Sequence, residues 1–365
     1  MTSSAVSHWT IESLGRFLVA PDAREQLAPL GAPDGSQDST VGPIVLDLEE
    51  SSRESVERFG ASLLEELPLL PCVTIALDAG PEDPARRAIR DRCDVVVASS
   101  DAVRPLLSGF AANPISALAF VQLLRGGPPN STYAGLVAES FVYSTLQSGA
   151  EFRRWLEGRR RSKKPKRDGA SAACRMERDR GRLDIRLSRA EKHNAFSRAM
   201  RDGLSEALQL ALADPSINQV VLSGEGDSFC SGGDLDEFGT FPDPAEAHVI
   251  RTTRSPALLL SRLCDRVRVE VQGACIGAGA ELPAFTQKVV ASEDAFFQLP
   301  EVGLGLVPGA GGTVSLPRRI GRQRTAWLGL SGARIDARTA LDWGLVDEIR
   351  LGQHVGPGSP DRERD

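Results

Sequence analysis

The alternation of apolar and polar positions in the first half of the chain predicts strands separated by helices. Short apolar runs between polar residues are typical of buried strands. Such runs occur as "PIVLDLE" at 43–49, "CVTIALD" at 72–78 and "CDVVVASS" at 93–100. An amphipathic stretch that starts with serine, "SSRESVERFGASLLEELPLL", predicts a helix between the first two strands. Two more helical stretches follow, at 115–125 and 133–160.

The second half repeats the order strand, helix, strand with short connections. "RLDIRLS" at 182–188 and "INQVVLSGEG" at 217–226 predict strands on either side of a helix at 195–214. "VRVEVQGACIGAGAEL" at 267–282 predicts a strand that ends in glycines and then becomes a helix. This alternation implies an α/β domain in this half as well.

The chain has 365 residues, which exceeds one typical domain, so two modules are expected. Changes in composition predict their boundaries. We expect an N-terminal extension at 1–42 with one short helix in "WTIESLGRFLVA", a smaller α/β module with a helical C-terminal part at 43–157, a basic linker at 158–173, a second module at 174–350 and a disordered tail at 351–365. The basic stretch "GRRRSKKPKR" has two interpretations, a solvated linker or a site for phosphate groups.

One internal repeat connects the two modules. "VVASSDA" at 96–102 and "VVASEDA" at 289–295 agree at six of seven positions, both where a strand is expected to pass into a loop. The residues are common ones, so chance is an alternative. The matching order of flanking strands and helices favours an ancestral duplication.

Composition and charge narrow the possible functions. Hydrophobic residues make up 41% and charged residues 25% of the chain, which is typical of a soluble globular protein. The chain has no apolar run long enough to span a membrane and no secretory pattern at its start, so a cytoplasmic location is expected. A net charge of −6 argues against nucleic acid and anionic membranes as partners.

Motifs of several other enzyme classes are absent from the sequence. It contains no G-x-S-x-G elbow, no phosphate-binding G-x-x-x-x-G-K-[ST] loop and no H-E-x-x-H pair. The six cysteines form no C-x-x-C pair and have no histidine spacing suited to zinc, so no metal site is expected. Cys230 has no evident partner base and is interpreted as a small buried residue, like most of the other thiols.

Two glycine-rich turns in the second module bring bare backbone to the end of a strand. They are "GDSFCSGGDLDEF" at 226–238 and "GACIGAGAELPAF" at 273–285. Small residues allow a ligand to approach peptide N–H groups, and the N–H groups at a helix start are unpaired and positively polarised. Each turn alone is typical of tight packing. Two that face one another would form an oxyanion hole, which suits a thioester carbonyl that becomes an enolate.

Together the motifs resemble the crotonase superfamily, also called the enoyl-CoA hydratase/isomerase family. The matching stretches are "LSRAEKHNAFSRAMRDGL", "FCSGGDL", "VQGACIGAGAEL" and "FQLPEVGLGLVPGAGGTVSLPRRIG", collinear over about 180–350. The resemblance implies a crotonase-like ββα spiral for the second module. It also implies trimers or hexamers, an acyl-CoA or acyl-carrier thioester as partner, and no cofactor, since CoA is part of the substrate.

The resemblance also assigns roles to individual residues. Gly233 and Ala278 would donate the two oxyanion N–H groups; alanine at the second position is a small departure from the usual glycine. Glu281 and Glu301 would be the catalytic acids. Substrate or CoA contacts are implied at Asn194, Ala195, Ser231, Asp234 and Leu235. His193 falls in a loop that lines CoA in the family and is interpreted as a solvent-facing residue.

Both acids are present, so the resemblance implies a hydratase-type lyase that adds or removes water across a 2-enoyl thioester. Glu281 would activate water, and Glu301 would protonate the α-carbon. Alternatives are isomerase, decarboxylase, thioester hydrolase or oxygenase chemistry on acyl-CoA, or a non-catalytic assembly subunit. Residues 43–157 are expected to be a degenerate crotonase copy whose helices complete the second module; the alternative is an unrelated interaction module.

Overall fold

The computed structural model describes residues 7–29, 42–80, 83–127, 130–159, 172–241 and 243–350. The first module is built on a parallel sheet whose strands follow one another in chain order. Its strands are β1 (Ser7–Thr10), β2 (Ile44–Asp47), β3 (Thr74–Leu77) and β4 (Val95–Val97). The helices of this module are α1 (Ile11–Phe17), α2 (Ala23–Gln26), α3 (Arg53–Glu66), α4 (Pro84–Arg92), α5 (Ser100–Ala112), α6 (Pro114–Arg125), α7 (Thr132–Gln147) and α8 (Ala150–Gly158).

The first residues of the chain differ from the expectation of a separate extension. The sequence predicts a helix over 9–20, but the structure has strand β1 paired with β2 and a helix only at Ile11–Phe17. Thr10 ends the strand and caps the helix, because its side chain accepts a hydrogen bond from the Ser13 N–H at 3.2 Å. Four residues are too short a run to show a strand pattern in the sequence.

The predicted helix at 51–70 is α3, which begins after its cap Ser52 as expected. The predicted strands β2, β3 and β4 are confirmed, with mostly buried residues. The helices α4 and α5 are not apparent from the sequence pattern. The first consists mainly of charged residues, and the second contains Pro105 in its interior.

The two repeated segments lie in different surroundings. The segment at 96–102 passes from β4 into helix α5, whereas the one at 289–295 passes from a strand into a second strand at Phe296–Gln298. The expectation of equivalent strand-to-loop contexts is therefore wrong for these segments. The ancestral duplication and the degenerate copy stay predictions.

The second module contains two sheets. Its strands are β5 (Cys174–Asp179), β6 (Arg182–Leu187), β7 (Gln219–Gly224), β8 (Val267–Val271), β9 (Ala274–Ile276), β10 (Lys288–Ser292), β11 (Phe296–Gln298), β12 (Ile335–Asp336) and β13 (Glu348–Arg350). The larger sheet has the order β13-β10-β8-β7-β6-β5 and is parallel except for the β5–β6 pair; the smaller has the order β12-β11-β9. The helices are α9 (Arg198–Ala213), α10 (Pro244–Thr253), α11 (Pro256–Arg262), α12 (Ala278–Glu281), α13 (Gly312–Ile320), α14 (Arg322–Ser331) and α15 (Ala337–Trp343).

The two modules share a hydrophobic core. One cluster of buried side chains joins Val45 and Phe120 of the first module to Val302, Leu306 and other residues of the second. Helix α7 packs against α10 and α13, and α5 and α6 pack against α14. The helices that the sequence predicted to cover the second module therefore do so within the same chain, and the mixed α/β class is confirmed.

Two predicted segments fall mainly outside the described residues. Of the basic linker at 158–173, the structure describes 158–159 and 172–173, and the tail at 351–365 lies outside it entirely. Arg159 forms an ion pair with Asp236 at 3.0 Å. Across the described ranges no single helix is long and apolar enough to cross a membrane; α5 and α6 reach that length only as a pair, which is bent by 113°.

Candidate active site

The two glycine-rich turns lie side by side, as the sequence predicted. Cys230 of the first turn pairs in parallel with Cys275 of the second. The Cys230 N–H donates to the Ala274 carbonyl at 3.0 Å, and the Ile276 N–H donates to the Cys230 carbonyl at 2.9 Å. Gly279 allows this approach, because a Cβ at that position would lie 2.3 Å from the Cys230 carbonyl oxygen.

Each turn contributes a free peptide N–H to one cavity. Gly233 and Ala278 both line a cavity of about 220 Å³. Neither N–H group donates to an acceptor within the described part of the chain. Ala278 is the first residue of α12, where an N–H has no partner inside the helix. The wall of this cavity therefore contains one unpaired N–H group from each turn.

Glu281 belongs to α12 and lines the same cavity. Its Oε2 accepts hydrogen bonds from the Ala310 N–H at 2.7 Å and the Gly312 N–H at 2.8 Å. Its Oε1 has no hydrogen bond to any described residue. The carboxyl group is thus anchored by one oxygen and leaves the other available to a ligand.

Glu139 of α7, in the first module, accepts hydrogen bonds from the loop at 310–313 that also binds Glu281. It binds the peptide N–H groups that Glu281 does not. Its Oε1 accepts from the Gly311 N–H at 2.7 Å, and its Oε2 accepts from the Thr313 N–H at 2.9 Å and the Thr313 hydroxyl at 2.7 Å. Four consecutive N–H groups at 310–313 therefore alternate between Glu281 and Glu139. The start of helix α13 is held by one carboxyl group from each module.

Glu301 opens a short 3-10 turn, Glu301–Leu304, and is the second of the two candidate acids in the cavity wall. Its Oε2 is buried and has no hydrogen-bond partner among the described residues. The first module supports this turn as well, because the Asn113 side chain donates to the Val302 carbonyl at 2.8 Å. Both candidate acids thus rest on contacts with the first module.

Burial dominates the electrostatics of these three acids. It raises the pKa of Glu301 to about 8 and the pKa of Glu139 to about 7. Burial also raises the pKa of Glu281 well above its usual value, and the negative charges of Glu301 and Glu139 raise it further. The hydrogen bonds from the Ala310 and Gly312 N–H groups act in the opposite direction and lower this pKa. Protonated and ionised carboxyl groups can therefore coexist here near neutral pH.

Gly277 permits the contact between the second turn and Glu301. Its φ of +50° and ψ of −117° are accessible to glycine and strained for other residues. A Cβ at this position would lie 2.3 Å from Oε1 of Glu301. Any larger residue would have to move the Glu301 carboxyl group.

We expect Gly277→Ala to lower the free energy of unfolding by ~1–3 kcal/mol, because it adds backbone strain and a steric clash. Urea denaturation measures the change. The matched control is Gly303→Ala, since Gly303 lies in the Glu301 turn and has open space around its Cα. Equal unfolding midpoints for the two variants would contradict this description of the Gly277 turn.

Comparisons with known proteins agree on the class of the second module. A sequence model of the Enoyl-CoA hydratase/isomerase family matches residues 177–355. The 1,2-epoxyphenylacetyl-CoA isomerase of Escherichia coli is 33% identical over 175 residues, which are 47% of this chain and 67% of that protein. The chain belongs to the enoyl-CoA hydratase/isomerase family.

Other members of the enoyl-CoA hydratase/isomerase family match the same half of the chain. The 2,3-dehydroadipyl-CoA hydratase of Escherichia coli is 34% identical over 168 residues, 46% of this chain and 65% of that protein. The crystal structure of the enoyl-CoA hydratase of Mycobacterium smegmatis is 32% identical, with a TM-score of 0.46 over 50% of this chain and 71% of that one. The matched part of the chain thus spans about two thirds of the length of these two curated relatives and less of others, such as 56% of the probable enoyl-CoA hydratase 2 of Arabidopsis thaliana.

The remaining predicted substrate contacts of this family member do not all lie together. Asp234 lines the cavity and forms ion pairs with Arg189 at 2.9 Å and Lys192 at 3.3 Å. Burial is the largest single effect on the pKa of Asp234 and raises it. The two ion pairs and the other hydrogen bonds of the carboxyl group together outweigh burial, so the pKa lies below its usual value. Ser231 and Leu235 are outside the residues that line the cavity, and Leu235 is exposed at 41%.

Asn194 and Ala195 stabilise their own loop. The Asn194 side chain donates to the carbonyl groups of Glu225 and Ser228 and accepts from the Arg189 N–H. The Ala195 carbonyl accepts from the Arg189 guanidinium at 2.8 Å. Because both ends of its amide group are hydrogen-bonded within the loop, the Asn194 side chain holds the loop in place. Neither Asn194 nor Ala195 lies on the cavity wall.

The interpretations of His193 and Cys230 agree with the structure. His193 is exposed, and its Nδ1 lies 3.3 Å from the Ser228 hydroxyl. Cys230 is buried, and burial raises the pKa of its thiol to about 12. A thiol with such a pKa is protonated at neutral pH, which fits a packing role.

Sequence reasoning missed the cavity residues of α7 and α10. Glu139 holds the loop at 310–313, while Tyr143, Gln147 and Arg251 line the cavity. The sequence contains one hint, since Glu139 is an acid within the otherwise apolar stretch "YAGLVAESFVYSTL". An acid on an apolar helix indicates a buried partner, although the sequence does not name that partner.

Proposed function

We propose that this protein hydrates 2-enoyl thioesters of CoA, or catalyses the reverse dehydration. One observation carries the proposal: two carboxyl groups, Glu281 and Glu301, line the same cavity as two unpaired peptide N–H groups, Gly233 and Ala278. Addition of water to a conjugated thioester needs an acid, a base and a place for negative charge. The cavity wall offers all of them.

The two N–H groups would bind the thioester oxygen. When water adds to the β-carbon, the electron pair of the double bond moves to the carbonyl, and that oxygen gains negative charge as an enolate. Preorganised N–H donors stabilise this charge, and loss of one donor typically costs ~3–4 kcal/mol of transition-state stabilisation. Both donors come from backbone, so the sequence requires only small residues around them.

Glu281 and Glu301 would divide the proton transfers between them. Water bound to Oε1 of Glu281 gives its proton to that carboxylate and its oxygen to the β-carbon. Glu301 gives its proton to the α-carbon, and the enolate returns to a thioester. The proton on Glu281 then returns to Glu301 through solvent, so the protein is unchanged after each turnover.

The hydrogen bonds around the two acids support this division of roles. Two close carboxyl groups repel when both are ionised, so the pair keeps one proton over a range of pH. Two N–H bonds to Oε2 favour negative charge on Glu281, whereas burial and the charges of Glu301 and Glu139 oppose it by raising the pKa of this carboxyl group. Oε2 of Glu301 has no donor, which favours the neutral form there.

The proposal predicts an alkaline limit to the rate. Glu301 must be protonated to act as the acid, and burial raises its pKa to about 8. We expect kcat for hydration to fall as pH rises through about 8, because the proton donor is then lost. This decrease, the alkaline limb of the pH profile, is measured by determining kcat at saturating substrate over a range of pH. A kcat that stays constant well above pH 8 would contradict the assignment of Glu301 as the acid.

A panel of 2-enoyl-CoA thioesters of increasing chain length tests the function itself. Hydration removes the conjugated-thioester absorbance and yields a 3-hydroxyacyl-CoA that mass spectrometry identifies by the added water. A 3-enoyl product would indicate an isomerase, free CoA a hydrolase, and loss of carbon dioxide a decarboxylase. Absence of any reaction with acyl-CoA thioesters would favour the assembly subunit.

Several finer expectations stay predictions. They concern a trimer or hexamer, an acyl-carrier protein in place of CoA, a cytoplasmic location, and the absence of cofactor, metal and nucleic-acid partners. Sedimentation of the purified chain measures the first of these. The hydration mechanism requires none of them, because every group that it uses lies within one chain.

A further inference from the structure

Arg251 of α10 places a positive charge in the wall of the cavity. Its guanidinium lies 4.7 Å from the centre of the Tyr143 ring, so the aromatic face packs against it. Burial lowers the pKa of Arg251, which means that its surroundings supply less stabilisation than water does. Arg251 is not one of the groups to which the proposed hydration assigns a role.

The hydrogen-bond partners of Arg251 are all uncharged. Its Nε donates to the Ser140 hydroxyl at 3.0 Å, and its Nη2 donates to the Ser140 carbonyl at 3.3 Å and to the Ser144 hydroxyl. Its Nη1 has one long bond, to Gln147 Oε1 at 3.4 Å. These acceptors orient the guanidinium, and Nη1 keeps donor capacity for a ligand.

No carboxylate lies within ion-pairing distance of Arg251 in the ranges that the structure describes. Glu139 is near enough to affect its pKa, but both oxygens of Glu139 are engaged by Gly311 and Thr313. Two other arginines of the cavity wall differ in this respect. Arg201 pairs with Asp202 at 2.8 Å, and Arg198 lies 3.7 Å from Glu237.

A cation that is partly removed from water and lacks a counter-ion is costly unless a ligand supplies one. We propose that the acyl group of the substrate ends in a carboxylate, which pairs with the Arg251 guanidinium at the cavity wall while the thioester lies at Gly233 and Ala278. The substrates would then be thioesters of dicarboxylic acids. This inference rests on the proposed function, because it takes the cavity to be the acyl site.

Binding of saturated acyl-CoA ligands tests the inference without requiring turnover. The probes are butyryl-, hexanoyl- and octanoyl-CoA, each compared with succinyl-, adipyl- and suberyl-CoA of the same length, by calorimetry on the full chain. We expect one dicarboxylic ligand to bind about ten- to a hundredfold more tightly than its monocarboxylic match, the range for a buried hydrogen bond to a charged group. Weaker or equal binding of all three dicarboxylic ligands would overturn the inference.

Substitutions then assign the preference to a residue. Arg251→Gln should remove the preference, and Arg251→Lys should retain part of it, because lysine keeps the charge without the planar pair of donors. The control is Arg254→Gln, since Arg254 ends the same helix, is exposed and pairs with Asp202. A preference that persists in both Arg251 variants overturns the inference, and the wild-type comparison decides the matter if Arg251→Gln does not fold.

The outcomes also separate this inference from the proposed function. Hydration of monocarboxylic enoyl-CoA with equal binding of both ligand types overturns the inference alone. Preferential binding of a dicarboxylic ligand, with no water addition to its 2-enoyl form, supports the inference and overturns the hydratase. Failure of every acyl-CoA to bind overturns both.

Discussion

Replacing Glu301 with glutamine should lower kcat for hydration by ~10²–10⁴-fold, because the α-carbon loses its proton donor. Glutamine keeps the size of the side chain but has no proton to transfer at neutral pH. Glu281→Gln should reduce the rate by a similar factor, since an amide does not take the proton from water. Loss of the conjugated-thioester absorbance with the best enoyl-CoA of the panel measures both rates.

The control for these substitutions is Glu293→Gln. Glu293 is an exposed acid in the turn between β10 and β11, so the same chemical change there should leave kcat unchanged. Circular dichroism checks that each variant is folded. If both Glu281→Gln and Glu301→Gln keep kcat within a few-fold of the wild type, the acid and base assignment is wrong.

The second large effect is expected at Glu139, outside the part of the chain that resembles known relatives. Glu139→Ala leaves the Gly311 and Thr313 N–H groups and the Thr313 hydroxyl without their acceptor. Unpaired buried donors cost ~1–3 kcal/mol each, and removal of a desolvated acid offsets part of this cost. We expect the free energy of unfolding to fall by about 2–4 kcal/mol, measured by denaturant titration.

The same substitution should also change the pH dependence of the rate. Burial raises the pKa of Glu301 to about 8, and the negative charge of Glu139 raises it as well. Near that pH Glu139 is ionised, because its own pKa is about 7. Its removal takes away a negative charge, so the alkaline limb of kcat should move to lower pH. Glu139→Gln removes the charge with less change in volume and should shift the limb in the same direction.

Glu151→Ala is the matched control for Glu139→Ala. Glu151 is also buried in the first module and also binds the start of a helix, accepting from the Ile115 N–H at 2.8 Å and the Ser116 N–H at 2.9 Å. The charge of Glu151 is not among those that affect the pKa of Glu301. We expect this variant to be destabilised without a shift of the alkaline limb. An equal shift in both variants would mean that Glu139 acts only through stability.

The residues closest to the proposed chemistry could be predicted from the sequence because their positions depend on local chain features. Gly277, Ala278 and Glu281 follow one another within one turn, so their spacing determines their relation. The first turn follows strand β7, and parallel strands bring their carboxyl ends to one edge. Glycine and alanine at these points indicate close backbone contact, which the structure has between Gly279 and Cys230.

The contribution of the first module could not be predicted at the level of residues. Glu139 and Gly311 are separated by 172 positions, and no periodicity relates a helix of one module to a loop of the other. The apolar pattern of α7 indicates that the helix is buried but does not identify what covers it. The same holds for Arg251, whose partners Ser140 and Ser144 lie on α7.

The short strand β1 and the helix α5 were missed for a different reason. A strand of four residues contains too few alternations to be recognised, and Pro105 in α5 is a residue that usually ends a helix. In both cases tertiary contacts compensate for a weak local preference. β1 gains the hydrogen bonds of β2, and α5 packs against α14 of the second module.

The central claim is that two peptide groups from separate turns bind one thioester oxygen between the two carboxyl groups. A crystal structure of the full chain with a saturated acyl-CoA tests it most directly. The thioester oxygen should lie within hydrogen-bond distance of both the Gly233 and the Ala278 nitrogen atoms, with the β-carbon facing Glu281 and the α-carbon facing Glu301. A thioester bound in another cavity, or an oxygen that contacts only one of the two N–H groups, would contradict the account.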